Sequence, residues 1–370
     1  MWRFCYKTPA VVVFLHQIRG RQNQGYNSCH DKFKNFRELA RDYGTCCRPL
    51  LPRHKDCTSK TEGRMMIWQK TLARPVTFRG IGLHSGQEVQ VTLYPAVANQ
   101  GVRFVRADLP GRPQIQAHYS RVVDTTRATS VGENGATLAT VEHLLAALGG
   151  LGVDNALIEV DGPELPIMDG SAAPFAQVIS RVGLENLAWP RAYLLVRETV
   201  ELRQAQQWIR VRPGVPRITY TIDFEHPIIR QQCFTVPLRS EIFLREIAPA
   251  RTFGFLKEVK HLQGKGLAQG GSLDNAVVLD DGAVVNPEGL RFPEECVRHK
   301  ILDAVGDLAL LGLPLLGHLE VGKGSHELHH SFLQLLMRRQ AAWRVWIPSA
   351  RAGERQSPWL QTPRWEEATA

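Results

Sequence analysis

The sequence predicts an α+β protein with two domains. Three observations point there. The chain has 370 residues, enough for two domains of ordinary size. Its patterned stretches run as strands followed by helices, without regular strand–helix–strand alternation. Composition changes sharply near residue 65, and "LAWPRA" (187–192), with Pro190, separates a helical stretch from a strand-like one. The expected organisation is a basic, Cys-containing leader (1–64), a first α+β domain (67–188), a second (191–346) and a flexible tail (347–370) rich in Pro, Arg and Glu. No repeat is legible in the residues.

The chain is 44% hydrophobic and 22% charged, as in ordinary globular proteins. No apolar run approaches the ~18 residues that a membrane-spanning helix needs. The net charge of +9 would suggest nucleic acid, but it is local: residues 1–64 carry 13 Lys and Arg against 5 Asp and Glu, the rest 32 against 31. No basic stripe crosses the body, so no nucleic-acid partner is expected. Cys5, Cys29, Cys46, Cys47 and Cys57 crowd the leader without a CxxC pair, leaving only Cys233 and Cys296 in the body. That usage fits a reducing compartment. The leader has three readings: a signal-like segment around "PAVVVFL", an organellar presequence, or an extension upstream of a start at Met65 or Met66. The third is preferred. A cytoplasmic location follows, with a plant mitochondrial one as the alternative.

In chain order, "QEVQVTLYPA" (87–96) alternates like a half-buried strand. In "TLATVEHLLAALGGLGVDN" (137–155), Thr140 is placed as N-cap. Val141, Leu144, Leu145 and Leu148 form a helical stripe, and Gly149, Gly150 and Gly152 end it. "NALIEVDG" (155–162) is a strand. "SAAPFAQVISRVGLENL" starts a helix near Ser171 or Pro174. "RITYTIDFEH" (217–226) alternates as a strand, and "DNAVVLDDGAVV" (274–285) reads as a hairpin about Asp281-Gly282. Residues 293–312 form a helix. Residues 317–343 give a strand, a Gly-rich loop and a closing helix.

The helix "VRHKILDAVGDL" (297–308) steps His299, Asp303 and Asp307 four residues apart, opposite Val297, Ile301, Ala304, Val305 and Leu308. A His and an Asp one turn apart can share one metal ion. Alone this is weak: roughly one such spacing arises by chance in this composition, and a solvated face with an ion pair explains it as well. Glu142 and His143 change the weighing. Neighbours on a helix point about 100° apart, so one can ligate while the other leans over bound water. His143, His299 and Asp303 would supply three ligands and Glu142 a base, the pattern of a zinc hydrolase. For Glu142 alone, an acid favoured by a helix N-terminus is as good a reading. His326, after a bend-permitting "GKGS", suits a general acid, with Asp307 to orient it. The plainer alternative is a surface turn with His329 and His330 exposed.

Together, "TVEHLLAALGGLGVDNALIEVDGPELPIMDGSAAPF", "ARTFGF", "GLRFPEECVRHKILDAVGDL", "GKGSH", "GIGLHSG" (80–86) and "DTTRATS" (124–130) resemble the UDP-3-O-acyl-N-acetylglucosamine deacetylase family, over about Ile67 to Trp346. The resemblance implies an enzyme of lipid A synthesis, a zinc-dependent amide hydrolase with iron(II) as the alternative metal. Its fold would be two similar two-layer α/β sandwiches with helices packed at their interface and the active site at the junction. His143, His299 and Asp303 would hold the metal. Glu142 would be the base, His326 the acid, Asp307 its orienting partner, and Thr252 a donor to the oxyanion. Phe253 would pack on the sugar, and Lys300 and Lys323 would meet the phosphates of a UDP-linked, acylated amino sugar. Residues 255–272 would form an insert lining an apolar acyl passage. A monomer is expected. Gly324-Ser325 stands where many members read Ser-Gly; both residues are small, so the bend should survive. A non-catalytic sugar-nucleotide-binding protein is the reading from another class.

Overall fold

The computed structural model describes residues 65–264 and 266–350. The expected leader, and the tail beyond Ala350, lie outside the described residues.

The first half builds β1 (Val76–Ile81), β2 (Glu88–Pro95), β3 (Val102–Arg106), β4 (Gln114–Gln116), helix α1 (Glu142–Leu151), β5 (Ala156–Val160) and α2 (Ala173–Val182). Its five strands lie in the order β1-β2-β5-β3-β4, with β5 antiparallel to β2 and parallel to β3. The second half builds β6 (Val200–Gln204), β7 (Gln207–Arg212), β8 (Arg217–Asp223), β9 (Gln231–Pro237), α3 (Leu256–Gly264), α4 (Glu295–Ala309), β10 (His318–Gly322) and α5 (His326–Arg338). The order is β6-β7-β10-β8-β9, and β10 is antiparallel to β7 and parallel to β8. The two halves therefore share one topology, in which the fifth strand enters the middle of a four-stranded set between two helices. The residues hide this repeat because the topology needs only a common alternation of apolar positions, not common side chains.

That alternation is clear. Val89, Val91 and Leu93 of β2 point inward and are buried, as are Ile218, Tyr220 and Ile222 of β8. Phe78 meets Phe175 of α2 edge-on at 5.0 Å between ring centroids. Helix α1 is buried on nearly every side, as expected of an apolar helix enclosed by neighbours. Each buried Leu on it contributes roughly 1.5–3 kcal/mol. Its main partner is α4, so one helix from each half meets at the centre of an α+β assembly. Gly306 permits the crossing: a Cβ there would lie 2.1 Å from the carbonyl oxygen of Glu142.

Several local expectations are corrected. "LAWPRA" is not a linker. Leu184–Pro190 is a strand antiparallel to Trp68–Leu72, with a register shift between Asn186 and Pro190. Proline is tolerated there at a strand end. Ser349–Ala350, placed in the tail, pair with Met65–Met66. Thr140 is not the N-cap of α1. Val141 is, without a side-chain bond, and Thr140 has a φ of +58°. The Thr140 hydroxyl is drawn instead to buried Glu164 at 3.0 Å, which also accepts the backbone N–H groups of His84 (2.9 Å) and Ser85 (2.8 Å). Gly149 and Gly150 lie inside α1, and Gly152, with a φ of +76°, ends it. The turn at Asp281-Gly282 forms on the Asp280 carboxylate, which accepts from Gly282 and Ala283. The hairpin reading holds there, with Leu279 and Val284 in an antiparallel bridge across the turn, and Val277–Leu279 gains a second, parallel partner in Phe253–Phe255 across α3.

Candidate metal centre

α1 and α4 cross with their N-terminal and middle turns together, which brings His143 to His299 and Asp303. One ligand atom from each lies within 4.8 Å of the other two. The imidazole rings are 5.0 Å apart between centroids and nearly perpendicular. Nε2 of His299 is 3.3 Å, and Nε2 of His143 3.9 Å, from Oδ1 of Asp303. All three residues are buried, so the solvated-face reading of "HKILD" fails.

The tautomer of His299 is set by its surroundings. The carbonyl of Ala250 can only accept, so Nδ1–H donates to it at 3.0 Å and Nε2 keeps its lone pair. Ala250 is held in turn by the next residue. Arg251 is fully buried and binds Glu295, the first residue of α4, through its backbone N–H at 3.0 Å and Nε at 2.9 Å. Sequence reasoning missed this anchor, although Arg251 lies in the quoted "ARTFGF". Burial pushes the His143 imidazole down to about 3, with the nearby His299 adding to the shift. Its Nδ1 is buried without a hydrogen-bond partner. Asp303 is held well below the usual carboxylate range: burial opposes this, but Lys300 and the surrounding imidazoles outweigh it. Two neutral imidazoles and an ionised carboxylate, converging in a dry site, can hold a metal ion.

Beside this trio lies a second cluster. Glu142, the first residue of α1, accepts the Thr129 backbone N–H at 3.0 Å, and its other oxygen is 3.8 Å from Nε2 of His326. Burial pushes Glu142 up to about 7; Asp307 and Asp303 add to this, while His326 opposes it. His326 opens α5. Burial would lower its pKa, but the carboxylates of Asp307, Glu142 and Asp303 prevail, Asp307 also by hydrogen bond, and it is pushed up to about 9. Asp307 accepts at 2.8 Å from Nδ1 of His326, at 2.8 Å from Nδ1 of His329 and at 2.6 Å from the Thr129 hydroxyl. Nε2 of His329 then accepts from the Tyr220 hydroxyl at 3.2 Å. Asp307, His326 and His329 could hold an ion by spacing alone, but Asp307 and both Nδ1 atoms are already joined by hydrogen bonds.

His329 is therefore buried, which excludes the plainer alternative of a surface turn with that residue exposed, because i, i+3 spacing places it on the same face as His326. Thr129 and Tyr220 were also missed. Thr129 lies in the quoted "DTTRATS" but offers no spacing signal.

Of the other expected residues, Thr252 and Phe253 follow Ala250 on the segment that touches His299. The ring of Phe253 is 6.5 Å from that imidazole and 5.7 Å from Phe224. Lys300 lies against the trio, with Nζ 2.7 Å from Oδ2 of Asp303. Lys323 stands apart, in a partly exposed ion pair with Asp223 at 2.8 Å. The Gly324-Ser325 order has a local reason. A Cβ at 324 would lie 2.4 Å from the Tyr220 hydroxyl, whereas Ser325 caps α5 by accepting the Leu328 N–H.

Residues 69–338 match the family model described as UDP-3-O-acyl N-acetylglycosamine deacetylase. A UDP-3-O-acyl-N-acetylglucosamine deacetylase of Geotalea uraniireducens is 48% identical over 279 residues, covering 75% of this chain and 91% of the relative. The Myxococcus xanthus protein of that name is 46% identical over 284 residues, covering 76% and 90%. That of Acidithiobacillus ferrooxidans is 46% identical over 281 residues, covering 75% and 92%.

Proposed function

The chain belongs to the UDP-3-O-acyl-N-acetylglucosamine deacetylase family, and from that premise we propose that it removes the N-acetyl group of UDP-3-O-acyl-N-acetylglucosamine in a metal-dependent hydrolysis. The products are acetate and the free amine, and the step commits material to lipid A. The observation that carries this reading is the convergence of His143, His299 and Asp303 on one point, with Glu142 and His326 3.8 Å apart beside it.

We assign the ligands to His143, His299 and Asp303, and the metal to zinc, with iron(II) the alternative on the same nitrogen and oxygen donors. When bound, such an ion polarises the acetamide carbonyl and lowers the pKa of water at the site toward about 7. Glu142 takes the proton of the attacking water. Its place at the start of α1, on the Thr129 N–H, aims one oxygen inward. Thr252 donates to the oxyanion that develops on the acetamide. His326, fixed through Nδ1 on Asp307, delivers a proton from Nε2 to the departing amine. Phe253 packs on the sugar. Lys323 meets phosphate by exchanging its partly exposed partner Asp223, and Lys300 does so from its position on Asp303. Leu267 in the insert and Leu273 just beyond it, both 38% exposed, leave apolar surface for the acyl chain.

Purified full-length protein should contain about one divalent ion per chain and release acetate from UDP-3-O-acyl-N-acetylglucosamine. A protein that binds the nucleotide sugar but releases none would be the non-catalytic alternative. The expected cytoplasmic location and monomeric state belong to the same proposal. Among the described residues, no helix is long and apolar enough to cross a membrane.

A further inference from the structure

We infer that Thr129 is a positioning residue that holds the base and the acid of this site in one register; this rests on the deacetylase reading. Thr129 is 2% exposed and sits just before the strand Ser130–Glu133, in an excursion between β4 and α1. Its backbone N–H donates to Oε2 of Glu142 at 3.0 Å. Its hydroxyl donates to Oδ1 of Asp307 at 2.6 Å, and the hydroxyl oxygen Oγ1 lies 3.1 Å from Nδ1 of His326. Its carbonyl accepts the N–H of Val141, the N-cap of α1, at 3.2 Å. One residue therefore grips the base on α1, the orienting carboxylate on α4 and the imidazole at the start of α5.

The chemistry explains why a hydroxyl is needed. Oδ2 of Asp307 already accepts from His326 and His329, so Oδ1 is left to Thr129. Without that donor, a buried carboxylate oxygen would be unsatisfied. The carboxylate could then rotate, taking the His326 ring with it. The backbone arm matters equally. A carboxylate that lost the Thr129 N–H would turn away from the attacking water. A 1 Å misplacement of either group is enough to lower the rate strongly.

The test uses the full chain with its metal. Thr129→Val keeps the shape and the backbone N–H but removes the hydroxyl; Thr129→Ser keeps the hydroxyl. The expected result is a kcat about 10- to 100-fold lower for T129V, with KM and metal content close to those of the unsubstituted protein, a melting temperature lowered by the unsatisfied Asp307 oxygen, and both kcat and stability largely recovered in T129S. In a His326→Ala background, T129V should cost little more, because its effect runs through that imidazole. The downfield Nδ1 proton of His326 in NMR spectra should shift or broaden in T129V. Unchanged kcat in T129V, equal losses in T129S and T129V, or a full additive loss in the H326A background would each overturn the inference. If T129V folds poorly, Thr129→Ala, which also removes the hydroxyl, takes its place beside T129S, and an unchanged kcat there would overturn the inference. Failure of the unsubstituted protein to release acetate would instead count against the deacetylase reading, and the NMR comparison would still judge Thr129.

Discussion

Glu142 shows how a single residue takes its role from its surroundings. In the sequence it is an acid at a helix start, where the helix dipole alone could explain it. In the structure it is buried beside His326 and not among the three atoms that converge on the candidate metal. Glu142→Gln should therefore keep its metal and lose about 10²- to 10⁴-fold in kcat, as checked by elemental analysis alongside acetate release. His143 and Asp303 could be picked out because ligand chemistry demands particular residue types. Thr129, Tyr220 and His329 could not. Their importance comes from single hydrogen bonds across large sequence separations, and a threonine or tyrosine carries no such signature. Gly324 is a related case. Its need for a bare Cα is set by the Tyr220 hydroxyl, about a hundred positions earlier.

At the level of elements, α1 and α4 are the parts on which the site depends. The periodicity of α1 and the His-x3-Asp step of α4 were readable, and so were the alternating strands β2 and β8. Their mutual approach was not. It rests on Gly306, whose missing side chain lets α4 reach the backbone of Glu142. Gly306→Ala forces the helices apart and should cost about 1–3 kcal/mol of stability. It should also weaken metal binding, because His143 lies on one helix while His299 and Asp303 lie on the other. Thermal melts and metal titrations of the variant check both effects. The misread "LAWPRA" has the opposite lesson. Pro190 looked like punctuation, yet the segment before it gains a strand partner in Trp68–Leu72, more than a hundred residues away. Tertiary pairing overrides a local breaker when the proline stands at the end of the ladder.

For the whole molecule, the three side chains proposed as ligands span the two halves: His143 follows the first sheet's early strands, and His299 and Asp303 precede the last strand of the second. Metal binding should therefore stabilise the folded chain as a unit. At about 100 times its Kd, a bound ion contributes about 2.7 kcal/mol. Chelation should lower the melting temperature, and added zinc should restore it. In His143→Ala the chelator should have little further effect, which differential scanning calorimetry would detect. By itself, the sequence determined the α+β class, the helix and strand periodicities, and the residue types able to bind a metal and move protons. These follow from local spacing and from intrinsic side-chain chemistry. Only the tertiary structure decided that the halves repeat one topology, that His329 is buried, and that Thr129 bridges Glu142 and Asp307. Those depend on contacts between distant segments, and the spacing of residues along a chain does not encode where two backbones will touch.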